Sequence, residues 1–468
     1  MSDENINLRL LVMEMLMSVT GEQGRGERRG AVYSNVLVRD VLNKYNYLSR
    51  QEKSFIKRLF EGTLERMIEL DVVIDSYSKV KTNKMKPVIR AIMRLSVYQI
   101  LYMDSVPDSA ACNEAVKLAQ KKGFSTLKGF VNGVLRSIAK NKGNIQYPDL
   151  SVKYSMPEWI VALWTSRFGE EKTIAILEGL LMEHPVTVRF RSMDAKEEVQ
   201  RALEAHGGSM TSHPYLEYAF KITKTDDITR LPHYADGGFA VQDVSSMLAV
   251  ESVFAGGFME ELRAAKEKVR ILDVCAAPGG KSMLMADLLR GAGVDFQIEA
   301  RDISENKVRI MSENFSRCGF TGAELTAGIR DAAIPEASES ETADIVIADV
   351  PCSGLGVIGK KRDIKYRMTQ EQIADIVNLQ RRILKNAADM VKPGGRLLFC
   401  TCTINCAENE QNFKWLTDEL KMAPVPIDGA LPECIRTESA ERGCMQLLPK
   451  LHDTDGFFVS VLKKQGGE

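Results

Sequence analysis

No apolar run in this chain approaches the roughly 18 residues that a membrane-spanning helix needs, so no membrane association is expected. Nor is a secretory leader expected. The first residues carry Asp3, Glu4 and Glu14 where a basic patch followed by an apolar one would stand, so a cytoplasmic protein is expected. Nine cysteines, an odd number in 468 residues, exclude a disulfide framework and suit free thiols in a reducing compartment. Cys400, Cys402 and Cys406 follow C-x-C-x3-C, which is not a usual zinc spacing, and no nearby histidine completes it, so no metal is expected. The dinucleotide fingerprint G-x-G-x-x-G is absent. So is a phosphate loop: Gly280-Lys281-Ser282 imitates its end, but its first glycine would fall on Cys275.

Net charge is almost absent, at −1, but it is unevenly spread. Residues 1–150 hold 24 Lys and Arg against 16 Asp and Glu, a net of +8; the remainder is at −9. A basic segment joined to an acidic one fits a polyanion partner. It also describes a solvated helical surface rich in lysine, and charge alone favours that reading. The hydrophobic fraction of 44% and charged fraction of 27% are ordinary for a soluble globular protein, and the length suits two to four domains.

Residues 5–140 carry apolar positions at helical spacing and no convincing strand. Leu8, Leu11, Val12, Met15 and Leu16 form one stripe; Phe55, Leu59, Phe60 and Leu64 form another, continued towards Met67 and Ile68. Pro87 opens a third with Ile89, Ile92, Met93 and Leu95, and six to seven helices are expected in all. The glycine- and arginine-rich loop at 20–30 is a candidate RNA contact or a solvated turn. Lys79, Lys81, Lys84, Lys86 and Arg90 form a second basic cluster. A polar linker at 141–154 leads to two helices. Val186 to Phe190 then alternates like a strand, a helix spans 195–205, and strand-like pieces surround Ala219 to Ile222. This pattern suggests a small α/β platform of RNA-recognition type. Arg189 and Arg191 there could meet phosphate, or be salt-bridged at the surface.

From about residue 237 strands and helices alternate to the end, the pattern of a doubly wound sheet. Residues 271–282 organise it. A short apolar strand ends in Ala277-Pro278-Gly279-Gly280, and a helix with Leu284, Leu288 and Leu289 on one face follows. Strand, glycine turn and helix let a nucleotide-like ligand approach bare backbone at a helix N-terminus, and a Cβ at Gly279 or Gly280 would block that approach. Asp302 closes the next strand, where a carboxylate can accept both ribose hydroxyls. A methyltransferase turn for S-adenosylmethionine fits this best. Thr369 and Gln372 predict a capping box for a helix running to Met390, which Lys392-Pro393-Gly394-Gly395 should stop before a strand from Arg396 to Cys402.

Ligands in such sheets sit beyond the carboxyl ends of the strands. Those ends carry Cys275, Asp302, Asp349-Val350-Pro351-Cys352 and Thr401-Cys402. Amino-group methylases place an aromatic residue where Cys352 stands. Pyrimidine C5 is instead a poor nucleophile and needs a thiolate on C6 to activate it. Two thiols fit a nucleophile plus a helper in elimination or product release, and a protonated Asp349 near cytosine N3 would stabilise the enamine-like intermediate.

Two resemblances add to this. Val106-Pro107, Asn113-Glu114-Ala115-Val116 and Phe130-Val131-Asn132-Gly133-Val134-Leu135-Arg136 resemble the NusB-like RNA-binding helical domain. Residues 272–282, Asp349-Val350-Pro351-Cys352-Ser353-Gly354, Asp363-Ile364-Lys365, Lys392-Pro393-Gly394-Gly395 and Thr401-Cys402-Thr403 resemble the Nop/Sun family of RNA cytosine-C5 methyltransferases, in its ribosomal branch. The resemblance implies three parts. These are an all-α NusB-like domain (1–142), linker helices with a small α/β RNA-recognition-like domain (143–236), and a C-terminal α/β Rossmann-like methyltransferase dependent on S-adenosylmethionine (237–468). It implies Cys402 as nucleophile, Cys352 in product release, and Asp349 on the cytosine and donor sides. Donor contacts carry over to Cys275, Ala276, Ala277, Pro278, Gly279, Gly280, Lys281, Asp302, Asp331 and Asp349. Thr403 replaces the family's serine, and Arg330 the glycine before Asp331. The implied substrate is 16S ribosomal RNA, naked or in a partly assembled small subunit, acted on by a monomer. A transfer-RNA cytosine methylase and a non-catalytic RNA-binding assembly scaffold are the rivals.

Overall fold

The structure is a computed structural model that describes residues 6–22, 33–225 and 227–466. The chain divides into two compact units: residues 1–181 with Ile358–Arg367, and residues 182–357 with 368–468. Most of the arginine-bearing loop at 20–30 lies outside the described residues.

In the first unit, seven α-helices precede residue 142 among the described residues, with no strand between them. The stripe from Phe55 to Ile68 is split at Arg66 into Arg50–Glu65 and Met67–Tyr77. Ser49 and Glu52 form a reciprocal cap at the start of the first of these, which satisfies backbone donors that would otherwise be open. Helix Pro87–Tyr102 is the centre. Eleven of its sixteen residues are buried, so its apolar positions extend well beyond the single stripe expected. Arg94 pays for its burial with two 2.7 Å bonds to Asp71. Of the second basic cluster, Arg90 turns onto Glu22, while Lys79, Lys84 and Lys86 stay exposed. A short helix, Leu150–Lys153, interrupts the expected linker; it and the helix after the linker, Glu158–Leu181, belong to this unit, and Gly169 (φ 78°) breaks the longer one into the two expected.

Ten residues from far along the chain, Ile358–Arg367, also belong to this unit. Lys365 Nζ donates to the carbonyls of Glu65 (2.7 Å) and Ser155 (2.5 Å), and Tyr366 donates to Leu64 O (2.9 Å). Arg362 pairs with Glu61 and Glu65, and Asp363 accepts from Ser34. Burial pushes the Lys365 ammonium down to about 7.

The second unit holds two sheets. In the small one, β1 (Val186–Phe190), β2 (Ser209–Ser212), β3 (Ala219–Thr223) and β4 (Phe239–Val241) run antiparallel in the order β2-β3-β1-β4. Val188, Phe190, Phe220, Ile222 and Phe239 pack with Val199 and Leu203 of helix Lys196–Ala205. The segment before the catalytic stretch thus supplies β4, an edge strand. Neither Arg189, on β1, nor Arg191, just after it, waits at the surface for phosphate. Arg189 is 2% exposed and donates to Asp287 (2.5 Å), and Arg191 grips both oxygens of the same carboxylate. Asp287 lies on helix Gly280–Gly291, so the pair fastens the small sheet to the large one's helical layer.

The large sheet contains β5 (Val269–Asp273), β6 (Phe296–Asp302), β7 (Leu325–Ile329), β8 (Ala343–Asp349), β9 (Val391–Thr401), β10 (Ala423–Pro424), β11 (Cys444–Leu447) and β12 (Phe457–Lys463). Its order is β10-β12-β9-β8-β5-β6-β7, with β11 on β12. β5 to β9 are parallel, and β12 closes against β9 antiparallel. Side chains alternate between two cores, as the pleat requires. Ile345, Ile347, Leu398 and Cys400 face one; Val346, Ala348, Leu397 and Phe399 face the other, under helix Gln370–Met390. That helix has the predicted Thr369–Gln372 capping box and ends at Met390. Its stop signal differs from expectation: Lys392-Pro393-Gly394-Gly395 lies inside β9 as a bulge, between the pairs Ala343–Val391 and Ile345–Arg396. The switch point is between β5 and β8, where successive connections leave in opposite directions; the ends of the strands there are where sheets of this kind bind their ligands.

Candidate active site

The turn after β5 is shaped by Gly279. Its φ of +98° is a left-handed conformation that L side chains rarely adopt, and a Cβ there would lie 2.6 Å from the Phe315 ring. Gly280 is different: a Cβ would sit 3.7 Å from Gln242, an ordinary contact, so against protein atoms the glycine requirement rests on Gly279 alone. Helix Gly280–Gly291 starts at once and leaves its first amides without intrahelical partners. Asn314 braces the turn through Pro278 O (3.1 Å), and Ala276 N–H donates to Arg301 O (2.8 Å). Below it Asp273 is wholly buried. Burial pushes its carboxyl up to about 7, against the hydroxyl of Ser282 at 2.6 Å.

Lys281 points back from the helix to the end of β8, where Nζ donates to Asp349 Oδ2 at 2.6 Å. Burial opposes this ammonium, but Asp349 outweighs it and holds the group above its ordinary value. Cys275 is half-buried. Burial, reinforced by Asp273, Asp349 and Asp302, pushes its thiol up and favours the protonated form.

Asp302 ends β6 and is nearly buried, with one oxygen accepting from Ser304 N–H (3.0 Å) and the other facing Lys307 (3.2 Å). Beside it stand two apolar residues that the sequence reading passed over. Ile303 is 65% exposed, and Ile329, in register with Asp302, is 60% exposed. Bare isoleucines flanking a ribose-type carboxylate suit the faces of an aromatic base; their only sequence signal was their place next to strand ends. Asp331 follows β7, with one oxygen engaged in its own turn by Ala333 N–H (2.9 Å). Open helix amides, a carboxylate and apolar flanks match the polar and apolar parts of S-adenosylmethionine.

The two thiols meet. Because β8 and β9 are parallel neighbours with Asp349 opposite Cys400, their ends are level, and Cys352 Sγ lies 3.3 Å from Cys402 Sγ. Cys402 O accepts from Gly356 N–H (3.1 Å), and Gly456 N–H donates to Gly356 O (3.0 Å). A Cβ on Gly356 would be 1.9 Å from Gly456 O, so only paired glycines let the Asp455-Gly456 segment close on the cysteine loop. The hydrogen bond with Cys402, then burial, pushes the Cys352 thiol well up.

Beneath the thiols is a polar network absent from the sequence reading. Glu408, fully buried, accepts from Ser353 N–H (2.8 Å), Ser353 Oγ (2.5 Å), Gln380 Nε2 (3.1 Å) and Asn405 Nδ2 (3.0 Å). Thr403 Oγ1 lies 2.7 Å from Ser353 Oγ and accepts from Leu355 N–H, so the hydroxyl of the Thr-Cys-Thr motif is in use. Asn409 joins Thr401 to Thr403 O. The signal available was the polar run Asn405…Glu408-Asn409 just past a strand end.

Comparison with known proteins agrees with this architecture. Residues 261–463 match the model of the family described as 16S rRNA methyltransferase RsmB/F, and residues 6–140 match that of the NusB family. The probable ribosomal RNA small subunit methyltransferase B of Bacillus subtilis is 34% identical over 93% of this chain and 95% of its own. The ribosomal RNA small subunit methyltransferase B of Klebsiella pneumoniae is 30% identical over 99% of both chains. In fold, the crystal structure of PH0851 superposes with a TM-score of 0.75 over 99% of this chain, at 24% identity. With a NusB-like helical domain, a methyltransferase sheet and a glycine turn at its switch point, the chain belongs to the RsmB/F family of ribosomal RNA methyltransferases.

Proposed function

We propose that this methyltransferase acts on C5 of a cytosine in 16S ribosomal RNA, through a covalent bond between Cys402 and C6 of the base. The observation that carries the reading is the pair of thiols at neighbouring strand ends, 3.3 Å apart, beside the Lys281–Asp349 pair. An amino-group methylase has no use for two thiols; activation of an unreactive ring carbon does.

The residues divide the work as follows. Cys402, as thiolate, adds to C6, and the C5–C6 π electrons become nucleophilic at C5. S-adenosylmethionine supplies an electrophilic methyl group. Its binding falls to the turn at 275–281, with Asp302 on the ribose side, Ile303 and Ile329 on the base, and Asp331 beyond them. Asp349, carrying Lys281, presents a charge-balanced hydrogen-bonding pair to the electron-rich ring edge. Loss of the C5 proton to a base restores the C5–C6 double bond, expels Cys402 as thiolate and frees the product. Cys352 remains a thiol throughout; its S–H stabilises the Cys402 thiolate and helps it leave. The basic helical unit and its likeness to NusB support RNA as the substrate carrier.

The test uses 16S ribosomal RNA, transfer RNA and partly assembled small subunits, each with labelled donor, and maps any methyl by mass spectrometry. 5-Methylcytosine in ribosomal RNA or subunits is expected. Label in transfer RNA alone moves the substrate; donor binding without label in any arm favours an assembly scaffold. RNA carrying 5-fluorocytosine should trap a covalent adduct on Cys402, because fluorine cannot leave as a proton.

A further inference from the structure

Glu408 is a buried carboxylate with no cation bonded to it among the described residues. Four donors converge on it, two per oxygen, which fills the acceptor capacity of an ionised carboxyl group. Burying an anion without a counter-ion is costly, and such a group persists where its bonds hold something in place. Here the bonds run to both cysteine loops. Ser353, the residue after Cys352, gives Glu408 its amide and hydroxyl; Asn405, three residues after Cys402, gives its side-chain amide. Gln380 completes the frame. Its two N–H groups go to Glu408 and to Pro351 O, the residue before Cys352, and its oxygen accepts from Asn412. Cys352 is therefore held on both sides by groups that Glu408 organises.

We propose that Glu408 is a positioning residue for methyl transfer: its carboxylate ties the Cys352 loop to the Cys402 loop, sets the contact between the thiols, and keeps Cys352 the protonated member of the pair. The inference rests on the reading of Cys402 as nucleophile and Cys352 as its partner. The electrostatics run the same way. The charged and titratable groups around Cys352 are Cys402, Glu408 and Asp349, with Lys281 spent on Asp349. Two carboxylates and a second sulfur disfavour an anion at Cys352. The groups facing Glu408 itself are the uncharged Ser353, Gln380 and Asn405: burial pushes its carboxyl up, their hydrogen bonds pull it back towards the ionised form, and no cation among the described residues is bonded to it.

The experiment uses the full chain. Iodoacetamide labelling of Cys352 and Cys402 is followed against pH by peptide-resolved mass spectrometry, alongside kcat and donor Kd. Glu408→Gln should move the labelling midpoint of Cys352 down by about one pH unit. It should lower kcat about 10- to 100-fold through misplacement of the thiols, with donor Kd unchanged. Glu408→Asp, which keeps the charge but shortens the reach, should slow turnover and leave the midpoint in place. A wild-type Cys352 midpoint or a wild-type kcat in Glu408→Gln overturns the inference. Should that variant fail to fold, judged by circular dichroism and donor binding, Ser353→Ala decides: it must lose turnover with the midpoint unmoved, and a wild-type rate overturns the inference. Failure of the covalent reading shows separately, as a Cys402→Ala protein that still methylates, and the labelling midpoint does not depend on that result.

Discussion

In the glycine turn, twelve consecutive residues, 271–282, carry a strand end, a left-handed Gly279 and the start of a helix. In the cysteine pair, two segments fifty residues apart meet through the register of β8 on β9 and through Glu408, Gln380, Asn405 and the Gly356–Gly456 approach. The first is a local object whose parts are dictated by backbone sterics. The second is a tertiary object whose parts have no local reason to be together. The turn should therefore tolerate damage elsewhere in the unit, while the pair should respond to residues that never touch the substrate.

The sharpest break is at the pair. Cys402→Ala should abolish the 5-fluorocytosine adduct and lower methyl transfer by at least about a thousandfold, with donor binding intact. Cys352→Ala should keep or accumulate adduct. Adduct trapped through Cys352 would reverse the two roles.

Next in size is the turn. Gly279→Ala forces an L residue to φ near +98° and pushes a Cβ into Phe315. The expected cost is about 1–3 kcal/mol, seen as a lower melting temperature and about tenfold or more weaker donor binding by calorimetry. Gly280→Ala should cost less protein stability, since its Cβ has room. Equal melting temperatures for the two variants would remove the distinction drawn between the glycines.

The smallest effect concerns Asp273, under the turn. Its carboxyl stands at about 7 in the folded protein because of burial, above about 3.9 in an unfolded chain. Between those values the folded state binds the extra proton, so this group's contribution to stability falls as pH rises from about 4 to about 7. Asp273→Asn should flatten that part of the melting-temperature profile relative to wild type. An unchanged slope would show that Asp273 ionises normally.

Much of the catalytic unit was legible because it is written locally. Short apolar runs marked β5 and β8, Asp302 marked the end of β6, and a capping box marked the start of helix Gln370–Met390. Other features were misjudged where a partner outside the segment decides. Lys392-Pro393-Gly394-Gly395 reads as a helix stop, yet β8 pairs on both sides of it and carries the strand through as a bulge. Arg189 reads as meeting phosphate or as salt-bridged at the surface; it is salt-bridged, but to Asp287 of another element and buried. Asp363 and Lys365 read as part of the catalytic stretch, yet carbonyls and side chains of the helical unit satisfy them.

Residue order alone determined the layers, the glycine turn and the identity of the chemical groups, because helix period, pleat period and left-handed backbone are properties of a few neighbouring residues. Only the tertiary structure decided which groups come together: that two thiols touch, that Lys281 closes on Asp349, and that Glu408 is hydrogen-bonded to both cysteine loops. Strand register and burial set those contacts, and both depend on partners tens to hundreds of residues away.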